Sequence, residues 1–535
     1  MAFLPNTLIL CVSPLLWYGL DEILAKAGDG CMILGIETDI ELFELAKAEL
    51  EKIKADRKSR GIEEKCRIEL MPAGEILKIV EIISGKTESS IDFPSAGSFK
   101  RAVMVEMSGG STLDRDFYRE VATAAENAVA SFWKNRITLT KLGRLFSKNM
   151  LENISRLPFS MNPRRFFGKV ENPLIVFGAG EGTQSLLDTT DRKILEKMFV
   201  LAVDAAIPAL KANAVRIDAV VAVEAQLAIE KAYIGAGARD SLIFADMASR
   251  PAVTAHTEKG VCFFASEFAD TEFFRRTSKE DFFPPVIPPL GSVGLTATYL
   301  ALLLRKNTSV PVFVAGMDFS YSLGKTHTKG APQEIQRLCS MNRLQPLENY
   351  DASFKLGAQR ALGKDGRAVF TDIALGGYAR NFQATFSGQK NLFDIGKSGL
   401  DLGLERIDAS GTGFWNMMSA VKKSDWNPST NAVPHGEKAE TKKILDYLEN
   451  EEKSLERIKE LLIYGKDVEK CGCTVQGELE ELISNREYLF LHFPDGFRFS
   501  VENISQLKRI RTEIDFFLKT IRKGIKRISP TPPSP

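Results

Sequence analysis

The sequence predicts an α/β protein with a central doubly wound, mostly parallel sheet, preceded by a smaller α/β unit and followed by a helical domain. In the middle of the chain, short β-rich apolar runs alternate with helical stretches. Strands that are apolar on both faces are typical of a parallel sheet with helices on either side. At 535 residues the chain is too long for one ordinary core, so several folded units are expected.

Composition narrows the class of protein. Apolar residues make up 44% and charged residues 26%, which is an ordinary globular balance, and the net charge of +1 predicts no nucleic-acid partner. Seven scattered cysteines indicate reduced thiols and a cytoplasmic protein. The apolar run at 3–20 has no basic leader and contains Pro14, so we expect neither a signal peptide nor a membrane span.

The first unit, predicted over residues 1–110, begins with a strand at 7–12, a helix at 15–25, a strand at 31–36 and a helix at 39–57. Glu37 ends the second strand, a position that often holds a ribose in dinucleotide-binding folds. The turn at 13–16 contains no glycine that would admit a phosphate. This unit is therefore interpreted as a scaffold.

A helical connector is predicted at 111–170, a nucleotide-binding domain at 171–404, a linker at 405–435, a helical carboxy-terminal domain at 436–528 and a disordered tail at 529–535. Six strands are predicted in the nucleotide-binding domain, at 174–177, 199–203, 219–223, 242–245, 260–265 and 310–315. Three carboxy-terminal helices are predicted, at 442–463, 477–490 and 504–528.

Carboxylates follow four of the predicted strands. They are Asp204, Glu224, Asp246 and Asp318. In an open parallel sheet, ligands bind at the carboxyl ends of the strands, where helix amino termini also point. The sequence therefore places a binding site at this edge of the sheet.

Two glycine-containing loops are candidates for contact with a phosphate. Gly178 and Gly180 follow the first strand of the domain and would let backbone amides approach a pyrophosphate, although Glu181 would repel one. Gly291 and Ser292 precede an apolar helix, so free amides and a hydroxyl would lie at its positive end. A ligand-free tight turn and a simple helix cap, respectively, are the structural alternatives.

The loop after the last strand carries the candidate catalytic groups. His327 is one of only four histidines and lies in a polar loop, where a general base needs both access to substrate and a pKa near neutrality. Asp318 and Lys325 are its neighbours in the same loop. A loop histidine without a catalytic role is the alternative interpretation.

These loops, in this order, resemble the motility-associated factor (Maf) flagellin glycosyltransferases, whose central domain is also described as 6-hydroxymethylpterin diphosphokinase MptE-like. The matching stretches are 173–180 (PLIVFGAG), 201–206 (LAVDAA), 217–224 (IDAVVAVE), 291–293 (GSV) and 316–327 (GMDFSYSLGKTH). The resemblance extends from the amino-terminal unit to about residue 404.

The resemblance implies a Rossmann-like, sialyltransferase-like fold and a transferase that moves a nonulosonic sugar from a CMP-sugar to Ser or Thr of flagellin, which supports flagellar assembly and motility. The CMP-sugar is a substrate, and Mg²⁺ is the only cofactor left open. The implied nucleotide-binding residues are Gly178, Gly180, Gly291 and Ser292, with Asp204 and Glu224 on the ribose or base. The implied groups for proton transfer are His327 and Asp318.

Two departures from the family pattern bear on the donor site. Glu181 and Gly182 stand where the family has proline and serine, and Glu224-Ala225 stands where it has aspartate-proline.

A diphosphokinase that transfers diphosphate from ATP to a hydroxymethyl pterin, with the carboxylates holding magnesium, is the second hypothesis. A non-catalytic flagellar assembly or scaffold protein is the third. The length of the chain favours the glycosyltransferase, because an enzyme that acts on a protein can use additional domains for docking.

Overall fold

The computed structural model describes residues 2–62, 66–84, 87–94, 96–235, 237–419, 421, 438–464, 473–496 and 499–529. The chain forms two compact units. The first comprises Met1–Leu142 with Leu491–Arg498, and the second comprises Gly143–Phe490 with Phe499–Pro535. The carboxy-terminal helices thus belong to the same unit as the larger sheet, while the finer domain boundaries stay predictions.

The first unit is a four-stranded parallel sheet with helices. Its strands are β1 (Thr7–Val12), β2 (Met32–Ile36), β3 (Arg67–Met71) and β4 (Arg101–Glu106). Its helices are α1 (Leu20–Lys26), α2 (Ile40–Ser59), α3 (Ile79–Ile83) and α4 (Arg115–Thr138). The strand order is β3-β2-β1-β4, with every pair parallel.

Strand β1 shows why a continuous apolar run forms the centre of this sheet. Leu8 and Leu10 pack in one hydrophobic cluster, while Ile9 and Cys11 pack in a second cluster. Successive side chains of a strand point to opposite faces, so an apolar run supplies both layers at once.

The helix predicted from residue 15 begins only at Leu20, so the predicted start was wrong. Ser13, Leu15 and Trp17 have φ values of 49, 45 and 57°. A right-handed helix cannot contain residues in this left-handed conformation. Apolar spacing alone does not reveal such a turn.

The second unit contains a nine-stranded sheet and a separate two-stranded hairpin. Its strands are β5 (Leu174–Phe177), β6 (Phe199–Val203), β7 (Ala219–Ala222), β8 (Leu242–Asp246), β9 (Val261–Ser266), β10 (Val286–Ile287), β11 (Val312–Ala315), β12 (Gln359–Leu362), β13 (Ala368–Thr371), β14 (Leu392–Asp394) and β15 (Glu405–Arg406). The six predicted strands are all present, with bounds that differ by at most two residues.

The helices of this unit lie between the strands and after the last of them. They are α5 (Arg144–Ile154), α6 (Glu181–Thr189), α7 (Arg192–Leu195), α8 (Ile207–Ala212), α9 (Glu272–Thr277), α10 (Val293–Leu304), α11 (Pro332–Cys339), α12 (Tyr350–Phe354), α13 (Ile373–Phe386), α14 (Thr412–Ser419), α15 (Lys438–Tyr464), α16 (Cys473–Ser484) and α17 (Ile504–Ile528).

The large sheet has the order β10-β9-β8-β7-β6-β5-β11-β14-β15, and every pair in it is parallel. The chain proceeds outward from β5 to β10 on one side and then returns to place β11 on the other side of β5. The order therefore reverses between β5 and β11, where open α/β sheets form their ligand crevice. The predicted α/β class with parallel sheets is confirmed.

Five described strands of this unit were not predicted, because each is short: β10, β14 and β15 contain two or three residues, and β12 and β13 contain four. The predicted linker contains β15 and α14 at its amino-terminal end, and the remainder, apart from residue 421, lies outside the described residues. So do residues 530–535 of the predicted tail. In the part of the chain that the structure describes, no helix combines the length and apolar character needed to cross a membrane.

Candidate functional site

The glycines after β5 make close contact with the loop after β11. A Cβ added to Gly178 would overlap the carbonyl of Gly316, and one added to Gly180 would overlap the carboxylate of Asp318. Only glycine lets two loops approach this closely. The carboxyl ends of β5 and β11 therefore meet directly at the point where the strand order reverses.

The Asp318 carboxylate lies at the amino terminus of α6. Its Oδ2 accepts a hydrogen bond of 2.7 Å from the Gly182 amide. Oδ1 is buried and has no hydrogen-bond partner among the described residues. Burial raises the pKa of Asp318 to about 7. The position that a phosphate would take at the end of α6 is thus occupied by a carboxylate of the protein itself.

The turn that precedes α10 adjoins the same loop. Gly291 has a φ of 75°, and the Ser292 hydroxyl caps α10 by accepting a hydrogen bond of 3.3 Å from Gly294. A Cβ on Gly294 would overlap the sulfur of Met317. The structure therefore brings the turn of Gly291 and Ser292 to the loop that carries Asp318.

His327 is tied to the glycine loop through its neighbour in sequence. The Thr328 amide donates a hydrogen bond of 2.9 Å to the carbonyl of Ala179. Burial lowers the pKa of the His327 imidazole below its ordinary value of 6.5, so the ring is neutral at pH 7. It lines a cavity of about 350 Å³ together with Glu181 and Lys325.

Glu181 is held by the loop that follows β11. Its Oε2 accepts a hydrogen bond of 2.5 Å from the Ser322 hydroxyl, and its Oε1 lies 3.8 Å from the Lys325 ammonium. The carboxylate thus has a hydroxyl and a cation as partners.

Asp204 and Glu224 form a second acidic group, at the ends of β6 and β7. Burial, with a smaller contribution from the negative charge of Glu224, raises the pKa of Asp204 to about 7. Asp204 Oδ1 accepts a hydrogen bond of 2.8 Å from the Ala205 amide. Glu224 is half-buried, and its Oε1 accepts a hydrogen bond of 2.9 Å from the Gln226 amide. The two carboxylates affect each other electrostatically, as expected for the ends of adjacent strands.

Asp246, at the end of β8, has both carboxylate oxygens engaged. Oδ1 accepts from the Ala248 amide at 2.7 Å, and Oδ2 accepts from the Ser266 hydroxyl at 2.5 Å. Burial raises its pKa to about 6. This carboxylate connects the loop after β8 to the end of β9.

Two buried asparagines on α5 were missed in the sequence. The Asn149 amide donates to the carbonyls of Ala225 and Ala248, at 3.2 and 3.1 Å. The Asn153 amide donates to the carbonyls of Met247 and Ser249, both at 3.0 Å. Their spacing of four residues in a helical segment was the available signal. They fix the loops that follow β7 and β8.

A buried ion pair was also missed. The Lys364 ammonium, in the turn between β12 and β13, lies 2.5 Å from the carboxylate of Asp394 at the end of β14. Both side chains are 2% exposed. The positive charge of Lys364 partly offsets the rise in the pKa of Asp318. Asp394 is therefore a further carboxylate at the carboxyl edge of the sheet, hidden by the shortness of β14.

The strand-end carboxylates of the described residues do not gather into one metal-binding cluster. Among the described residues, no group of three or more His, Cys, Asp or Glu side chains could hold a metal ion. Both oxygens of Asp246 accept hydrogen bonds from the protein, and Asp318 caps a helix.

Comparisons with known proteins add to this geometry. Residues 148–324 match the family described as 6-hydroxymethylpterin diphosphokinase MptE-like. This match confirms the resemblance of the central part of the chain to that family.

The chain is 29% identical over 537 residues to an uncharacterized protein of Treponema pallidum (strain Nichols), an alignment that covers 98% of this chain and 89% of that protein. It is also similar to the solved structure of the MAf glycosyltransferase from Magnetospirillum magneticum AMB-1, with a TM-score of 0.47 and 12% identity. That alignment covers 98% of this chain and 78% of the solved chain.

Proposed function

We propose that the protein is a cytoplasmic glycosyltransferase that moves a nonulosonic sugar from a CMP-activated donor to a Ser or Thr hydroxyl of flagellin. The observation that carries the proposal is the meeting of three loops at the reversal point of a parallel sheet, beside a neutral histidine. The identity of the sugar and of the acceptor rests on the sequence resemblance to Maf glycosyltransferases.

The donor phosphate is assigned to the amino terminus of α10. The corresponding end of α6 already holds the Asp318 carboxylate, which would repel a second anion. Helix α10 has twelve residues, and Gly291 and Ser292 precede it at its positive end. Asp204 and Glu224 supply acceptor oxygens for the hydroxyls of a ribose or for the amino group of the base. Gly178 and Gly180 would then shape the crevice floor.

The transfer step requires one proton acceptor. The acceptor hydroxyl oxygen attacks the anomeric carbon, and its proton passes to a ring nitrogen of His327. The bond between the anomeric carbon and the phosphate oxygen breaks, and its electron pair leaves with CMP. A neutral imidazole can accept this proton. Because burial lowers the pKa of His327, its imidazole is available in the neutral form at pH 7. Asp318, whose pKa is about 7, is the second group able to exchange a proton at this pH.

A diphosphoryl transfer from ATP to a hydroxymethyl pterin is the second candidate function. The description of the matching family favours it. In that reaction an oxygen of the pterin hydroxymethyl group attacks the β-phosphorus of ATP, and AMP leaves. Such transfers ordinarily use magnesium, held by one or two carboxylates and by the substrate phosphates, to neutralise the phosphate charge.

Two parallel incubations of the purified protein distinguish these functions. One contains CMP-nonulosonate and flagellin, and the other contains ATP and hydroxymethyl-dihydropterin with magnesium. In the first incubation we expect flagellin to gain one sugar for each CMP released. In the second incubation we expect no AMP. AMP release alone would establish the diphosphokinase. No product in either incubation, together with no shift in melting temperature on adding either nucleotide, would favour a non-catalytic scaffold protein.

A further inference from the structure

The segment between β11 and β14 exposes large apolar side chains at unusual density. On α11 and in the turn after it, Ile335, Leu338, Met341 and Leu344 have exposed fractions of 42, 54, 54 and 88%. We call these four residues the α11 surface. Concentrations of exposed apolar residues mark contact sites for other molecules more often than single ones do.

The α11 surface continues into the wall of the cavity that contains His327. Glu334 and Arg337 of α11 line that cavity. Leu338 follows Glu334 by four residues, so helical geometry places both on one face of α11. The cavity therefore has apolar side chains at its rim and His327 in its lining.

The cations of this cavity are mostly engaged within the protein. The Arg337 guanidinium donates to three backbone carbonyls, those of Pro346, Leu347 and Glu348, at 2.8 to 2.9 Å. Lys325 lies 3.8 Å from Glu181, and a third cation, Lys329, also lines the cavity. Four carboxylates also line the cavity and outnumber its three cations, so it suits an uncharged polar ligand better than a phosphate; they are Glu181, Asp188, Glu334 and Glu348.

One buried acceptor in the cavity lining is unused. Gln184 Oε1 is buried and has no hydrogen-bond partner within the described ranges, while its amide donates to Asp188 at 2.7 Å. A buried carbonyl oxygen without a partner is costly, and a donor on a ligand would relieve that cost. The N–H group of a peptide backbone has the required chemistry.

We propose that the α11 surface docks the acceptor polypeptide, as an uncharged segment with apolar residues beside its acceptor hydroxyl, and that the adjoining cavity receives this hydroxyl at His327. The inference rests on the proposed function and adds the route by which the protein acceptor enters. Apolar residues of the segment would cover Leu338 and Leu344, and a backbone N–H would donate to Gln184.

The test uses the double variant Leu338→Ser/Leu344→Ser, with monomeric flagellin and CMP-nonulosonate as probes. We expect the KM for flagellin to rise at least about tenfold, while the slow release of CMP without flagellin is unchanged. Gln184→Leu should also raise this KM. The matched control is Leu113→Ser, which removes an equally exposed leucine, 86% exposed, from the other unit.

Direct binding separates failure of this inference from failure of the proposed function. The affinity of flagellin for wild type and for the double variant is measured without donor. Weaker binding by the variant supports the docking surface even if no sugar is transferred. Equal binding, or no binding by wild type, would overturn it. Melting temperatures establish whether the variants are folded. If the double variant does not fold, the single variant Leu344→Ser is used in its place.

Discussion

At the scale of single residues, the neutral state of His327 determines how activity depends on pH. Burial lowers its pKa below 6.5, so the imidazole stays unprotonated to a lower pH than an exposed histidine would. We expect kcat/KM for sugar transfer, which reports the pKa values of the free enzyme, to be half-maximal at a pH below 6.5. A pH–rate profile, with circular dichroism at each pH as a control for folding, measures this. A half-maximal kcat/KM above pH 6.5 would contradict the assignment of His327 as the base.

Asp204 makes a prediction about stability. Its pKa is raised to about 7 in the folded protein, so the folded state binds its proton more tightly than the unfolded state does. The stability that it contributes is therefore present below about pH 4 and is lost as pH rises to about 7. Wild type loses unfolding free energy from this group between pH 5 and about pH 7, and for Asp204→Asn we expect that loss to be smaller by about 1.4 kcal/mol for each pH unit of this interval.

Urea unfolding at the two pH values measures this difference. Asp188→Asn, a change at an exposed carboxylate in the same unit, is the control and should leave the pH dependence as in wild type. An Asp204→Asn protein that loses as much stability as wild type over this range would show that the carboxylate is already ionised at pH 5.

At the scale of elements, the ion pair of Lys364 and Asp394 anchors the β12–β13 hairpin to the end of β14. Removing one member of a buried pair leaves an uncompensated charge, which costs roughly 3–5 kcal/mol. We expect Lys364→Met to lose about that much unfolding free energy and Lys364→Met/Asp394→Leu to recover most of it. Denaturant unfolding of both variants gives the result. A double variant no more stable than the single one would show that the hairpin depends on other contacts.

The sequence was informative about elements wherever one local pattern determines the structure. The runs at 174–177 and 199–203 became β5 and β6 without change, because strands buried on both faces are continuously apolar. It was uninformative where distant residues decide. Gly180 leaves room for the carboxylate of Asp318 because β5 pairs with β11. The spacing of residues along the sequence does not reveal this pairing. The same is true of Lys364, whose partner is thirty residues away.

At the scale of the whole molecule, the carboxy-terminal helices and the larger sheet form one unit. Glu451 on α15 is 2% exposed and lies 2.8 Å from Arg276 of α9 and 2.9 Å from Arg486. It also accepts a hydrogen bond of 3.0 Å from Tyr488. We expect Glu451→Ala to destabilise this unit by roughly 3–5 kcal/mol, because two cations would lose their partner.

Calorimetry of wild type and of Glu451→Ala measures the effect. The variant should lower the melting temperature of the transition in which the large sheet unfolds. Glu452→Ala, at the adjacent and more exposed residue, is the matched control and should change little. If Glu451→Ala melted only the helices and left the sheet transition in place, the two would be thermodynamically independent.

The central claim is that sugar transfer takes place in the crevice between β5 and β11, with His327 as the base. Its most direct test compares flagellin mass gain and CMP release for wild type, His327→Asn and Lys306→Ala. Lys306 precedes β11 and so lies at the opposite end of that strand. We predict that His327→Asn slows transfer about 10²–10⁴-fold, while wild type and Lys306→Ala transfer equally. Transfer by His327→Asn at the wild-type rate would contradict the claim.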